Sequence, residues 1–324
     1  MKTQGLGDPP ASRGTCLAQN KPRAVEIKAM SRHPLLTGCL ITLLVVICFL
    51  GVTLVALVLL GKGALFTGGD KVGVVEIKGV IAESRTVIKH LDGFLEDGNI
   101  KAIVLRINSP GGAVGPAQEI LREVEKVRQK KKVVASLGTV AASGGYYIAS
   151  GADLIMANKG TATGSIGVIM QFANVEGLTK KIGLDFYNLK AGRYKDVGSP
   201  FRPMTKEEQA YLQGLIDNIY QQFITDVARN RKIPADKLQI LAEGRIYTGE
   251  EAKAIGLVDE FGNLQDAIDK AGRLAGIKGK VEAAYPEKEG FSLLRLLLGQ
   301  DTEESLSKLA LPYPEPAYLP PWFR

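Results

Sequence analysis

Thiols are nearly absent from this chain. Its three cysteines, Cys16, Cys39 and Cys48, all fall before residue 62. The bulk of the sequence can therefore form no disulfide, build no thiolate metal site and use no cysteine nucleophile. Histidine is scarcer still, with only His33 and His90. Neither sits in a cluster with metal-ligand spacing, so neither a metal nor another cofactor is expected, and a histidine-dependent triad would rest on His90 alone. A basic stripe with interleaved aromatics is missing too. The net charge is +7, but residues 1–61 carry six Lys/Arg against two Asp/Glu, which leaves only +3 for everything after them. Nucleic acid is accordingly not an expected partner. No internal repeat is present.

What the sequence does have is apolar substance: 45% hydrophobic residues over 324 positions, enough to bury a core. Leu35 to Gly61 is a run of 27 residues without a charge. That length spans a bilayer with some tilt. Lys21, Arg23, Lys28 and Arg32 precede it. The positive-inside bias then puts the N-terminus in the cytoplasm and the domain after residue 62 outside. A cleaved signal peptide is the competing reading, but its apolar region would be shorter and followed by a small-x-small site. The expected organisation is a basic disordered arm over 1–34, a single-pass anchor over 35–61, a Gly-rich linker over 62–70, a catalytic domain over 71–280 and a C-terminal tail over 281–324.

Within 71–280, strand and helix patterns alternate. Strands are expected at 71–81, 102–107, 133–137, 153–157 and 185–189. Helices are expected from Ser84, from Pro116 and near 175–182. This is the pattern of an α/β domain with a largely parallel sheet. The second half reads as helical. Thr205-Lys-Glu-Glu208 is a capping box opening a long helix, and shorter helices follow from Pro234, over 250–255 and over 263–275. Phe291 to Leu298 is an amphipathic fragment, and Pro312 to Arg324 a Pro/aromatic tail without regular structure.

Four small-residue stretches could carry chemistry. Thr139-Val-Ala-Ala-Ser143-Gly-Gly-Tyr-Tyr147 places Ser143 at a strand-to-helix turn among residues that leave its hydroxyl unshielded. The N–H just past such a serine, on Gly144, can point at an oxyanion, because the first N–H groups of a helix lack partners. The same small residues would also serve simple close packing of a helix on a sheet. Asn108-Ser-Pro-Gly111-Gly112 reads as a turn whose glycines let the backbone approach a ligand, or as an ordinary β-to-α connection. Gly192-Arg-Tyr-Lys195-Asp196 offers a lysine that could act as a general base if burial disfavours its ammonium form, although a loop lysine is ordinarily solvated. Thr163-Gly-Ser165-Ile-Gly167 offers a second hydroxyl, able to orient an amine or merely to satisfy its own turn.

As an ordered set, with Gly244-Arg-Ile-Tyr-Thr-Gly249 and Gly256-Leu-Val-Asp259 behind them, these stretches resemble the signal peptide peptidase A family in its short, single-repeat bacterial form. The resemblance covers about residues 72–275. It implies a ClpP/crotonase-like fold with a helical C-terminal part, preceded by one transmembrane helix in the inner membrane. It implies Ser143 as nucleophile, Lys195 as general base, Ser165 as the residue orienting that lysine, and Gly144 with Gly112 or Gly111 as the oxyanion hole. It further implies peptide substrates, remnant signal peptides among them, and a homo-oligomeric ring or dome in which neighbouring subunits can complete a site. Asp196 is read as structural, because a carboxylate on Lys195 would oppose a base role. Two other classes remain in view: an acyl-CoA enzyme of the same fold, and a non-enzymatic membrane scaffold related to stomatin-operon peptidases.

Overall fold

The computed structural model describes residues 34–64, 69–286 and 317–318. Within the first of these segments side chains are described at positions 38, 39 and 41–56. The arm before residue 34, part of the linker, the Phe291–Leu298 fragment and most of the tail lie outside the described residues. The chain divides into a unit ending at Thr67 and a unit beginning at Gly68.

The first unit holds α1, Pro34–Ala64, a helix of 31 residues. It covers the uncharged run and exposes Ile41, Leu44, Phe49 and Leu54. Among the described residues no helix is long and apolar enough to cross a membrane.

The second unit begins β1 (Lys71–Ile81), α2 (Arg85–Glu96), β2 (Ile100–Ala113), α3 (Val114–Arg128), β3 (Lys132–Ala142) and α4 (Gly144–Ser150). The short strands β4 (Leu154–Ala157) and β5 (Ala162–Gly164) follow. Helices α5 (Glu176–Lys181), α6 (Lys206–Arg231) and α7 (Ala235–Leu241) lead to β6 (Ile246–Thr248), α8 (Gly249–Ala254), β7 (Glu260–Phe261), α9 (Leu264–Leu274) and β8 (Glu282–Ala284), with β9 at Ala317–Tyr318. The main path of the sheet runs β6-β5-β3-β2-β1-β8, with β4 on β3 and β7 on β4. Pairings are parallel except β5 with β6 and β2 with β9. The expected α/β architecture is therefore present, as a mixed sheet.

Burial on both faces explains the apolar runs Val72–Val75 of β1 and Ala102–Leu105 of β2. Ile103, Leu105 and Ile107 face the larger core with Ile120, Val124 and Tyr147, while Ala102 and Val104 face Ala267, Ile268 and Ala271 of α9.

Three expectations change. Asn108–Gly112 is not a turn: β2 continues to Ala113, because β1 stays paired with it through Ile81 opposite Gly112 after one register shift. Pro110, which has no N–H to give a ladder, falls within that shift. Residues 185–189 form no strand. Their apolar side chains stay exposed, with Phe186 stacked on Phe201 at 3.7 Å between ring centroids. The tail is not wholly irregular, since Ala317–Tyr318 pairs antiparallel with Gly112 and Ala113. The sheet also takes in β8, just past position 280.

Candidate active site

Ser143 lies between β3 and α4, where β3 has changed partners. Its first half pairs with β4 through Leu137 opposite Ala157, and its last three residues pair with β5. Asn108 manages the change: its side-chain carbonyl accepts the N–H of Thr139 at 3.0 Å and of Val140 at 3.2 Å. Gly138 is held small by the same side chain, since a Cβ there would stand 2.9 Å from Asn108 Oδ1. Helix α4 then turns away fully buried. Tyr146 donates to the Leu257 carbonyl at 2.9 Å, and Tyr147 packs edge-on against Phe223 at 4.9 Å. A Cβ at Gly145 would come within 2.9 Å of the Ser109 carbonyl, so this helix can sit so near β2 only with glycine there.

The consequence is strain at the serine. Ser143 has φ 55° and ψ −117°, a conformation that costs a side-chain-bearing residue about 1–3 kcal/mol and is retained where the surroundings over-determine it. Its own N–H donates to the Gly164 carbonyl at 2.8 Å, which fixes the bend. The next N–H, on Gly144, opens α4 and has no intrahelical partner.

Three of the other expected residues lie on or just after β5 and β2, the strands that flank β3 here. Gly164 is opposite Ala142 in the β3–β5 ladder, so Ser165 is one step on, next to Ser143. Ser165 is buried, has φ 49° and donates its N–H to the Arg245 carbonyl at 2.7 Å. Gly111 and Gly112 come just before Ala113, the last residue of β2. Gly111 has φ 110°, and its N–H donates to Ser109 Oγ at 3.1 Å. Gly112 fits only without a side chain, because a Cβ would lie 2.1 Å from the Ile81 carbonyl oxygen. A cavity of about 430 Å³ opens along the adjacent end of β1, lined by Ile77, Val80, Ile81, Val87 and Ile120 with Glu76 and Lys78 at its polar side.

Among the described residues no contact brings Lys195 to this group. It is exposed, and among the described residues its ammonium makes no hydrogen bond or ion pair. Asp196 beside it is engaged elsewhere. Hydrogen bonds from Arg202 first, then from Lys190, hold its carboxyl well below the ordinary carboxylate range. Its structural reading stands on those contacts, and they keep its carboxylate off the lysine. Sequence reasoning named the Asn108–Gly112 stretch without the roles of Asn108 and Ser109, and it missed Arg202. Those roles were hidden by reading their strand as a turn. The signal for Arg202 was a lone arginine between an Asp and the capping-box Glu, each six residues away.

Comparison with known proteins decides the class. The family model described as peptidase family S49 matches residues 125–278, and that described as Clp protease matches 75–160. A Synechocystis relative designated a candidate protease is 44% identical over 72% of this chain and 84% of its own length. The chain belongs to peptidase family S49. An Enterococcus faecium relative designated a candidate signal peptide peptidase is 39% identical over 54% of this chain and 51% of its own. A chloroplast serine protease of Arabidopsis thaliana is 36% identical over 67% of this chain and 31% of its own. This S49 chain is thus a serine-type peptidase on a ClpP-like α/β fold, and the acyl-CoA reading of the same fold is set aside.

Proposed function

We propose that this S49 peptidase cleaves apolar peptides, remnant signal peptides among them, through an acyl-enzyme on Ser143 with Lys195 as general base. The observation that carries the reading is the strained Ser143 at the β3–α4 bend, followed by the first N–H of α4, which has no intrahelical partner. In this scheme Ser143 Oγ attacks the scissile carbonyl while Lys195 takes its proton. The oxyanion forms against the N–H of Gly144 and that of Gly112 or Gly111, of which Gly112 is ladder-paired with Ile81 and Tyr318 and Gly111 gives its N–H to Ser109 Oγ. Collapse of the intermediate breaks the C–N bond, and Lys195 returns the proton to the leaving amine. Water, deprotonated in turn by Lys195, then releases the acyl group. Ser165, next to Ser143, orients the lysine amine.

The peptide substrate class is supported by two features beside Gly112. The antiparallel pairing of Ala317–Tyr318 on Gly112–Ala113 is the kind of pairing an extended peptide would make, and it supports a polypeptide substrate. The neighbouring cavity offers apolar walls to a side chain.

Lysine acts as a base only where its ammonium is desolvated, and Lys195 is exposed in the single chain. The segment leading to it also exposes Leu178, Ile182, Leu184, Tyr187 and Leu189. Contiguous apolar side chains on this scale favour burial against another surface. A homo-oligomer that covers this segment would desolvate Lys195, and a neighbouring copy could complete the site. The uncharged 35–61 run with cations before it supports a single-pass anchor, N-terminus in the cytoplasm and catalytic unit outside.

The test is hydrolysis of a quenched-fluorescence apolar peptide by the detergent-solubilised full chain. Ser143→Ala and Lys195→Ala should each remove activity while leaving the fold intact, because nucleophile and base act as a unit. Lys195→Arg should also be inactive, since guanidinium keeps its proton. Full activity in a folded Lys195→Ala protein rules the dyad out.

A further inference from the structure

The loop that carries Lys195 is fastened to the start of α6 on both sides of the lysine. On the N-terminal side, the Tyr194 ring stacks on Tyr211 with centroids 4.7 Å apart, and Arg193 pairs with Glu207 at 3.1 Å. On the C-terminal side the fastening is Arg202. Its Nε donates to Asp196 Oδ2 at 3.1 Å and its Nη2 to the Asp196 carbonyl at 3.2 Å. The same guanidinium gives Nη1 to Glu208 Oε2 at 2.8 Å and Nη2 to Glu208 Oε1 at 2.5 Å. Glu208 is itself fixed as the third residue of α6, accepting the Thr205 N–H at 2.9 Å in the capping box. Lys190 completes the cluster with an ion pair to Asp196.

Lys195 lies between these fastenings, and among the described residues its ammonium has no hydrogen-bond or ion-pair partner. Such an arrangement holds the backbone of a lysine in register while leaving its amine available. We propose that Arg202 is a positioning residue for Lys195: its planar fork ties Asp196 to Glu208 and so sets where the lysine leaves the loop.

Fork geometry is the essential part. A guanidinium meets two carboxylates and a backbone carbonyl at fixed angles, whereas an ammonium is a point charge on a flexible stem. If the cluster merely neutralised two carboxylates, lysine at position 202 would do as well. The inference rests on Lys195 being the base, and it deepens that reading by naming what aims it.

The experiment compares Arg202→Met, Arg202→Lys and Asp196→Asn with wild type and Lys195→Ala. The protein is the detergent-solubilised full chain, with kcat and KM measured on a quenched-fluorescence apolar peptide and referred to the folded fraction. Misplacing a catalytic group by about 1 Å can cost about 100-fold. Arg202→Met should therefore lower kcat by about 10- to 100-fold with KM within about twofold, and Arg202→Lys should fail to restore it. A folded Arg202→Met protein with wild-type kcat overturns the proposal, and so does full rescue by Arg202→Lys. Should Arg202→Met not fold, Asp196→Asn decides: a lowered kcat at unchanged KM supports positioning, and wild-type kcat contradicts it. Full activity in Lys195→Ala removes the base reading and this inference together. An inactive Lys195→Ala beside a fully active Arg202→Met removes this inference alone.

Discussion

At the scale of single residues, the structure puts tension where chemistry is expected. Ser143 is held at φ 55° by a ladder bond from its own N–H and by a helix buried behind it. Glycine tolerates that conformation, so Ser143→Gly should abolish activity yet leave the protein at least as stable. Relief of about 1–3 kcal/mol of strain outweighs the roughly 0.5–1 kcal/mol that glycine loses in backbone entropy. Urea unfolding of the two proteins checks this, and a less stable Ser143→Gly would mean the bend is not strained. The opposite holds at Gly112. A Cβ there meets the Ile81 carbonyl oxygen at 2.1 Å, so Gly112→Ala should cost about 1–3 kcal/mol or more and lower the urea midpoint. The serine and its glycine neighbours were legible in the sequence because small residues around a strand-to-helix bend are a local signal. Ser109 and Asn108 were not, because their role depends on which strand lies alongside them.

At the scale of elements, the Lys195 loop and the first turn of α6 form one electrostatic unit. Arg202 and then Lys190 lower Asp196, and Arg202 followed by the Thr205 N–H lowers Glu208 to about 2. Both carboxyls are thus more acidic folded than unfolded. Their contribution is complete above the unfolded carboxylate range near pH 4, and it is lost as pH falls from there through the folded values. Acid titration followed by hydrogen exchange should therefore show this loop loosening below about pH 4, and Arg202→Met should remove that dependence. Equal protection of the loop at pH 3 and pH 7 would contradict the assignment. Thr205→Ala, which removes the cap, should cost about 1 kcal/mol. The capping box was readable from Thr205 and Glu208 alone, because capping is a contact between residues three apart. The 185–189 strand was misread because Phe186, Tyr187 and Leu189 favour a sheet, yet among the described residues no neighbouring strand takes them up. The missing information is tertiary, as it is for β9, whose partner lies about 200 residues away.

At the scale of the molecule, the parallel order of the sheet followed directly from alternating strand and helix patterns. The assembly state and the membrane relation did not. Both depend on surfaces outside the chain, and the proposal for each rests on exposed apolar side chains. Leu189→Asp, a charge in the exposed patch before Lys195, should dissociate a homo-oligomer in light scattering and lower activity with it. An oligomer unchanged by that charge would move the interface elsewhere. The account as a whole turns on one claim, that Ser143 is the nucleophile and Lys195 activates it. The most direct measurement is the intact mass of the full chain before and after reaction with a fluorophosphonate, with the modified residue mapped. One adduct, on Ser143, that is absent from Lys195→Ala is the predicted result. An adduct on another serine, or undiminished labelling of Ser143 in Lys195→Ala, would contradict it.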